Sequence, residues 1–528
     1  MKSIRLIAGA MTVGVWTLMS RVLGFLRDIL IAAWLGTGPV AEAFFIAFTL
    51  PNMFRRFFAE GAFNMAFVPL FSKKLEAGED ATGFAKQAMA GLALILLVIS
   101  ILATIFMPWM VLALASGFAG DARLDMAVTL GRIVFVYVIF ISLAALVSGV
   151  LNASGRFAAA AAAPILLNVV LIGILILAEL GVIGSIIGDY DGARHGTAMA
   201  FGVVIAGVAQ LALVWVAARR AGFALTPVWP TWSPELKRLA VIAAPAMLAG
   251  GVMQINLLIG RQVASYFDGA IVWLSFADRL YQLPLGVVGI AMGIVLLPDL
   301  SRRLQAEDTD GARNALSRAA EMSLALAIPA AVALLVIPTA LIGALFERGA
   351  FSAEDTQATA LATAIYGLGL PAFIMQKVMQ PLFFAREDTR RPFYFAVVAM
   401  VVNAVIAVGL APIIGFTAAA IGTTIAGWAM LGLLWVYAQR MGEAAHFDAR
   451  VKTRAWRILL AALVMGAALL GLDALIDPLS IGQDLLRLLS VGGICLLGLA
   501  TYAMAGLALG AFTRKDLGSA FRRSSAKP

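Results

Sequence analysis

Residues 20–75, SRVLGFLRDILIAAWLGTGPVAEAFFIAFTLPNMFRRFFAEGAFNMAFVPLFSKKL, decide the fold class. They form two apolar runs, each about the ~20 residues that a bilayer-spanning helix needs. The first run nevertheless carries Arg21, Arg27 and Asp28, and the second Glu42, Arg55, Arg56 and Glu60. A charge near the centre of a membrane helix costs about 2.5–3.5 kcal/mol on insertion scales, so charges retained there face a protein interior or a water-filled cavity. At the helical repeat, Arg21, Gly24 and Asp28 share one face of the first helix, while Asn52, Arg56, Glu60 and Asn64 form a drifting stripe on the second. Pro51 interrupts the second helix just before the arginine pair, and Gly24 with the turn Gly36-Thr37-Gly38-Pro39 loosens the first. Broken helices at membrane depth are where transporters bind their substrates. The competing reading makes these charges structural ion pairs between two helices, but four arginines against three carboxylates leave positive charge over.

Working outward, the 528-residue chain is 62% hydrophobic and only 13% charged, where soluble domains carry about 25% charged residues. It reads as an all-α polytopic membrane protein. Cys495 is the only cysteine and lies inside an apolar run, which leaves neither a disulfide framework nor a cysteine metal cluster. The opening MKSIRLIAGAMTVGVWTLM has the basic flank and apolar run of a signal peptide, but Arg21 stands where a small-residue cleavage site belongs; an uncleaved first helix is expected. Apolar stretches of spanning length fall near 6–35, 40–72, 84–115, 126–151, 157–180 and 196–218, then near 239–266, 270–300, 317–345, 357–385, 393–413 and 417–438, and finally near 456–476 and 485–511. The expectation is about 14 transmembrane helices.

Basic residues concentrate on the cytoplasmic side of membrane proteins. Lys2 and Arg5, Lys73 and Lys74, Arg156, Arg219 and Arg220, Lys237 and Arg238, Arg302 and Arg303, Arg386 with Arg390 and Arg391, the stretch 440–457 and the tail from Arg514 all fall on one side of this count. The opposite connections hold Arg123, Arg194 and Arg348 among Asp121, Asp189, Asp191, Glu347, Glu354 and Asp355. Both termini are therefore expected in the cytoplasm, and the net charge of +9 needs no nucleic acid to explain it. An internal repeat supports the count. Pro69-Leu-Phe-Ser-Lys-Lys-Leu-Glu-Ala77 returns 229 residues later as Pro298-Asp-Leu-Ser-Arg-Arg-Leu-Gln-Ala306, and Asn168 returns 235 residues later as Asn403. A six-helix unit used twice enters the membrane in the same sense each time, so two parallel six-helix lobes around a central cavity are expected. They would occupy 1–230 and 231–445, with two C-terminal helices and a basic tail in 446–528.

The second lobe adds Arg261, Asp278, Arg279 and Lys377 inside apolar runs, with Pro284 shortly after the Asp278-Arg279 pair. Together the lobes place seven cations (Arg21, Arg27, Arg55, Arg56, Arg261, Arg279, Lys377) against four acids (Asp28, Glu42, Glu60, Asp278). Arginine forks match phosphate oxygens two at a time, and a cavity of low dielectric strengthens the attraction. The expected substrate is an anion, a phosphate or diphosphate.

The runs SRVLGFLRD and LPNMFRRFFAEGAFNMAFVP, FADRL at 276–280 followed by PLGVVGIAMG, and the Pro-Asp-Leu-Ser helix end resemble the MurJ (MviN) family of bacterial lipid II flippases, within the multidrug/oligosaccharidyl-lipid/polysaccharide exporter superfamily. The resemblance covers essentially the whole chain. It implies an inner-membrane flippase that moves the undecaprenyl-diphosphate-linked peptidoglycan precursor to the periplasmic leaflet by alternating access, in the service of cell-wall biogenesis and cell shape. It also implies substrate-binding roles for Arg21, Arg27, Arg55, Arg56 and Arg279, and Glu60 matches the acid of the AEGAF phrase. Asn52 joins this set on its helix face. Asp28, Glu42, Asp278, Arg261 and Lys377 are the candidates for coupling or structural pairing, and Asp28 lies where it can pair with Arg21. Glu42 stands where related sequences have aspartate, Gln282 where some have an acid, and Arg261 matches no family motif. No cofactor or metal is expected beyond a coupling cation, Na+ or H+, or the membrane potential. Lipid II and membrane lipids are the expected partners, with cell-wall synthesis proteins as further candidates.

Two other classes compete. A flippase for a different polyprenyl-diphosphate-linked oligosaccharide, or a cation-coupled drug exporter, shares the two-lobe plan, but a drug exporter calls for an acid-dominated cavity. An enzyme acting on polyprenyl phosphates needs clustered acids or histidines, whereas His195 and His446 sit in opposite loops.

Overall fold

The computed structural model describes residues 2–55, 62–231 and 233–513, and among these the chain is helical without a β-strand. The packing divides into two compact units: residues 1–272 with 349–351, and residues 273–348 with 352–528.

The first unit holds α1 (Lys2–Leu35), α2 (Pro39–Arg55), α3 (Ala62–Glu76), α4 (Ala81–Leu114), α5 (Ala122–Val134), α6 (Tyr137–Ala153), α7 (Ala158–Glu179), α8 (Ala193–Arg220) and α9 (Pro234–Ala264), and ends in the first turn of α10 (Ala270–Ala291). Helix α7 packs between α1 and α8, α6 packs on α8, and α2 lies along α5. Helix α9 packs on α3 and α4, so the division by packing falls at 272 while the sequence repeat divides the chain at 230.

The second unit continues α10 through a π-turn at Met292–Leu296 into α11 (Leu297–Gln305), then α12 (Thr309–Val336), α13 (Pro338–Phe346), α14 (Ala353–Phe384), α15 (Arg390–Ile414), α16 (Thr417–Ala438), α17 (Ala449–Ile476) and α18 (Asp484–Ala508). Helix α14 packs on α12 and α16, and α15 on α16. The two C-terminal helices dock on α12 and α13: Ile337, Ala340 and Ala344 form one apolar cluster with Ala461, Met465, Leu469 and Ile494, with Cys495 packed against it. The Tyr502 hydroxyl donates to the Ala325 carbonyl at 2.9 Å.

Polar residues at the helix starts satisfy the amides that a first turn leaves without partners. Asp80, Asp121, Ser233, Asp308 and Asp448 each accept from a backbone N–H two or three residues on, and Ser352 with Asp355 completes a reciprocal capping box. Between these caps most of the long helices are predominantly apolar. In α4, Leu92, Leu96 and Met107 are buried while Leu94, Ile101 and Ile105 stay exposed, the pattern of a helix with protein on one side and lipid on the other.

Ten of the described helical segments are long and apolar enough to cross a membrane. The expected spans 6–35, 40–72, 239–266 and 270–300 are not among them. These four carry the intramembrane charges Arg21, Arg27, Asp28, Glu42, Arg55, Arg261, Asp278 and Arg279, and each contains undescribed residues or side chains.

Two local expectations change. Helix α1 runs without a break through Gly24, which faces the Asn168 carboxamide of α7 at a distance where an added Cβ would make an ordinary contact of 3.5 Å, so the glycine does not loosen the helix. Helix α2 likewise continues through Pro51 to Arg55. Proline removes the N–H that would reach Ala47, but the side chains of Thr49 and Asn52 donate to the carbonyls of Phe45 and Phe48 at 2.6 and 2.9 Å and reinforce the turn around it.

Candidate functional site

The intramembrane charges of the first unit sort into three groups. In the first, Arg27 and Asp28 are both buried, at 7% and 4% exposure. The Arg27 guanidinium grips one Asp28 carboxylate oxygen through two nitrogens, at 2.6 and 3.1 Å, and donates a further bond of 3.0 Å to the Asn168 side-chain oxygen. The Asn168 amide in turn donates to the Ser20 carbonyl at 2.9 Å. Asp28 thus pairs with its neighbour Arg27 and not with Arg21. The helical repeat puts consecutive residues about 100° apart, but a long arginine side chain curls back over that angle. Asn168, noticed in the sequence only as a repeat marker, is the adaptor that joins α1 to α7.

The second group lies at the end of α2 nearest the acidic connections. Glu42 is 1% exposed and Arg123 is 6% exposed. Arg123 donates to Glu42 at 2.8 Å and to Asp121 at 2.6 Å, approaches Asp268 at 3.0 Å, and lies over the Phe118 ring. The other Glu42 oxygen accepts the Ile271 backbone N–H at 3.3 Å, in the first turn of α10. A carboxylate at a helix start opposes the positive end of the helix dipole, so Glu42 ties α2 to α5 and to the start of α10. Partial burial alone would push the Asp121 carboxyl up, but the hydrogen bonds from the Arg123 backbone and side chain outweigh it and hold the group below its ordinary value. In the sequence Arg123 stands only among the loop charges. The signal available in the sequence was the Asp121-x-Arg123 spacing at a helix start, where an N-cap acid and a returning arginine meet.

The third group comprises Arg21, Arg55, Arg261 and Asn52. Arg21 is half-buried on α1, and Arg55 half-buried at the end of α2. Arg261 reaches the Phe45 carbonyl at 3.4 Å and so links α9 to α2. Asn52 spends its amide on the Phe48 carbonyl. Arg56 and Glu60 lie outside the described residues.

In the second unit, Asp278 and Arg279 sit on α10, Asp278 half-buried and Arg279 exposed. Gln282, one turn on, hydrogen-bonds the Asp278 carboxylate, so the position where some relatives carry an acid here supplies a donor to one. Tyr281 packs at tilted angles against the rings of Tyr366 and Phe373 of α14, which joins α10 to α14 in this stretch. Lys377 is exposed on α14.

A family model described as lipid II flippase MurJ matches residues 31–490. The chain belongs to the MurJ family. It is 45% identical over 505 residues to the probable lipid II flippase MurJ of Rhizobium meliloti (strain 1021), covering 94% of this chain and 93% of that protein. It is 42% identical to the probable lipid II flippase MurJ of Rhizobium tropici, with 94% and 93% covered, and 35% identical to the lipid II flippase MurJ of Burkholderia cenocepacia, with 77% and 78% covered. A solved structure of lipid II flippase MurJ in an inward closed conformation superposes with a TM-score of 0.77 at 24% identity, over 97% of this chain and 99% of that one. An inward-facing multidrug resistance MATE family transporter superposes with a TM-score of 0.65 at 14% identity, over 83% and 98%. The MurJ fold is thus shared with MATE transporters whose sequences have diverged far from it.

Proposed function

We propose that this protein is a lipid II flippase that carries the undecaprenyl-diphosphate-linked peptidoglycan precursor from the cytoplasmic to the periplasmic leaflet of the bacterial inner membrane. The observation that carries the reading is family membership along nearly the whole chain, together with an arginine excess inside spans that the rest of the membrane region keeps apolar. Arg21, Arg55, Arg56 and Arg279 bind the diphosphate and its attached headgroup by paired N–H donors, with Lys377 adding charge and Asn52 and Glu60 bordering the site. Arg27 acts one step back: locked to Asp28 and Asn168, it sets α1 against α7 and thereby the direction of Arg21. Glu42 and Arg123 hold the acidic end of α2, and their parting accompanies opening toward the periplasm. Transport proceeds by alternating access, and the lipid tail follows the surface of α17 and α18. A coupling cation, Na+ or H+, or the membrane potential resets the empty carrier.

The test is rescue of viability and lipid II export in a bacterium depleted of its own flippase, comparing wild type with Arg21→Ala, Arg56→Ala and Arg279→Ala at matched membrane abundance. A hydrogen bond to a charged group is worth about 1.5–3 kcal/mol, so each variant is expected to bind headgroup on the order of 10- to 150-fold more weakly and to fail in rescue. Rescue by all three variants would overturn the cationic site. Failure of the wild type would point to another lipid-linked sugar.

A further inference from the structure

A second cluster of arginines lies away from the substrate site. Helix α14 ends at Phe384 and α15 begins at Arg390, and the segment after α16 returns beside them. The space they enclose has a volume of about 580 Å³ and is lined by Arg386, Asp388, Arg390, Arg391, Tyr394 and Met441. Three guanidinium groups face one carboxylate there. Asp388 is already engaged, accepting the Arg391 backbone N–H at 3.1 Å and lying 3.3 Å from the Arg391 guanidinium. Arg386 is anchored in place, donating to the carbonyls of Leu382 at 3.1 Å and Met441 at 3.3 Å. Burial disfavours its charged form, a penalty that an anion in the cavity would relieve. Arg390 is exposed at the rim and makes no ion pair with a described residue.

This arrangement differs from another arginine pair on the same side of the helix count. Arg302 and Arg303 are spent on Asp299 and Asp308, at 2.9–3.1 Å. Around the cavity, by contrast, Tyr394 and Phe393 are exposed on the first turn of α15, the aromatic pair expected where a helix crosses the headgroup layer. Basic pockets at the cytoplasmic end of membrane helices suit lipid phosphates, and forked guanidinium groups suit their oxygens.

We propose that the cavity formed by Arg386, Arg390, Arg391 and Tyr394 binds a phosphate group at the cytoplasmic membrane surface, presented by an anionic phospholipid headgroup or by free phosphate. The site does not rest on the flippase reading and uses none of the residues assigned to it.

The experiment compares purified full-length wild type, the triple variant Arg386→Gln/Arg390→Gln/Arg391→Gln and a control, Arg302→Gln/Arg303→Gln. Retained phosphatidylglycerol and phosphatidylcholine are counted by native mass spectrometry, and inorganic phosphate is titrated in a separate arm. A basic residue near an anionic surface is worth on the order of fivefold in binding, so the triple variant is expected to retain phosphatidylglycerol at least about tenfold less well than wild type, with the control unchanged. If lipid retention is equal throughout but inorganic phosphate binds wild type and control and not the triple variant, the site stands with a soluble ligand. Equal binding of wild type and triple variant in both arms overturns it, as does an equal loss in the control or equal retention of phosphatidylcholine by wild type. Should the triple variant fold poorly, exposed Arg390→Gln alone is expected to weaken binding by about fivefold, and no change in its binding also overturns the proposal.

Discussion

Arg123 carries three carboxylate contacts through one guanidinium, and its removal would leave Glu42 buried without a cation. Breaking a buried ion pair from one side costs about 3–5 kcal/mol, far more than the pair contributes in net terms, because an uncompensated charge remains. Arg123→Met is therefore expected to lower thermal stability in detergent sharply, Glu42→Gln to lower it less, and the double variant to lose less than the two single losses together. The check is a double-mutant cycle of melting transitions, with a coupling of about 1–3 kcal/mol expected between these contacting residues; additive losses would mean that the two side chains do not depend on each other. The same residues show what a sequence can and cannot convey. That Glu42 and Asp28 sit where charge is expensive was legible from hydropathy. Which cation answers each was not: Arg123 lies 81 residues from Glu42 and reaches it only through the packing of α5 on α2, and Arg27, next to Asp28 in the chain, also bonds Asn168 on α7, 141 residues away.

Elements end where their backbone groups find other partners, and α1 does so in an unusual way. Its Ala33 carbonyl accepts the Ala350 backbone N–H at 2.7 Å, and Gly349, at φ +57°, comes so near that a Cβ there would lie 2.1 Å from the same oxygen. Residues 349–351 thus cap α1 and pack with the first unit. In Gly349→Ala, left-handed strain of about 1–3 kcal/mol adds to the displaced hydrogen bond of about 1 kcal/mol. The variant is expected to show a clearly lower melting temperature than Gly78→Ala, whose glycine also has positive φ but nothing nearby; an equal loss in both would show that contact with Ala33 adds nothing. At this scale the sequence was a good guide to helix existence and a weaker one to continuity. Propensity treats residues singly and marks Gly24 and Pro51 as weak points, whereas both helices run on through them, α2 with side-chain hydrogen bonds from Thr49 and Asn52 around its proline.

Over the whole molecule, the distribution of basic residues makes the orientation testable. Alkaline phosphatase fused after Asp191 or after Gly349 is expected to be active, and fused after Ala306 or Gly442 inactive, with the reverse for a fluorescent protein that matures only in the cytoplasm. An active phosphatase after Ala306 would invert the proposed topology. The helical class was plain in the composition, since few sequences sustain such apolarity without a membrane. The packing division at 272 was not, because repeats record how a chain was duplicated, and contacts record where each piece came to rest. One further property follows from the apolar cluster under α17 and α18. Its neighbour Cys495 is the only thiol in 528 residues, and alanine would fill most of that half-buried place without introducing a polar atom. A single exchange therefore yields a thiol-free carrier, into which paired reporter cysteines can be written at will to time the opening of each end during transport.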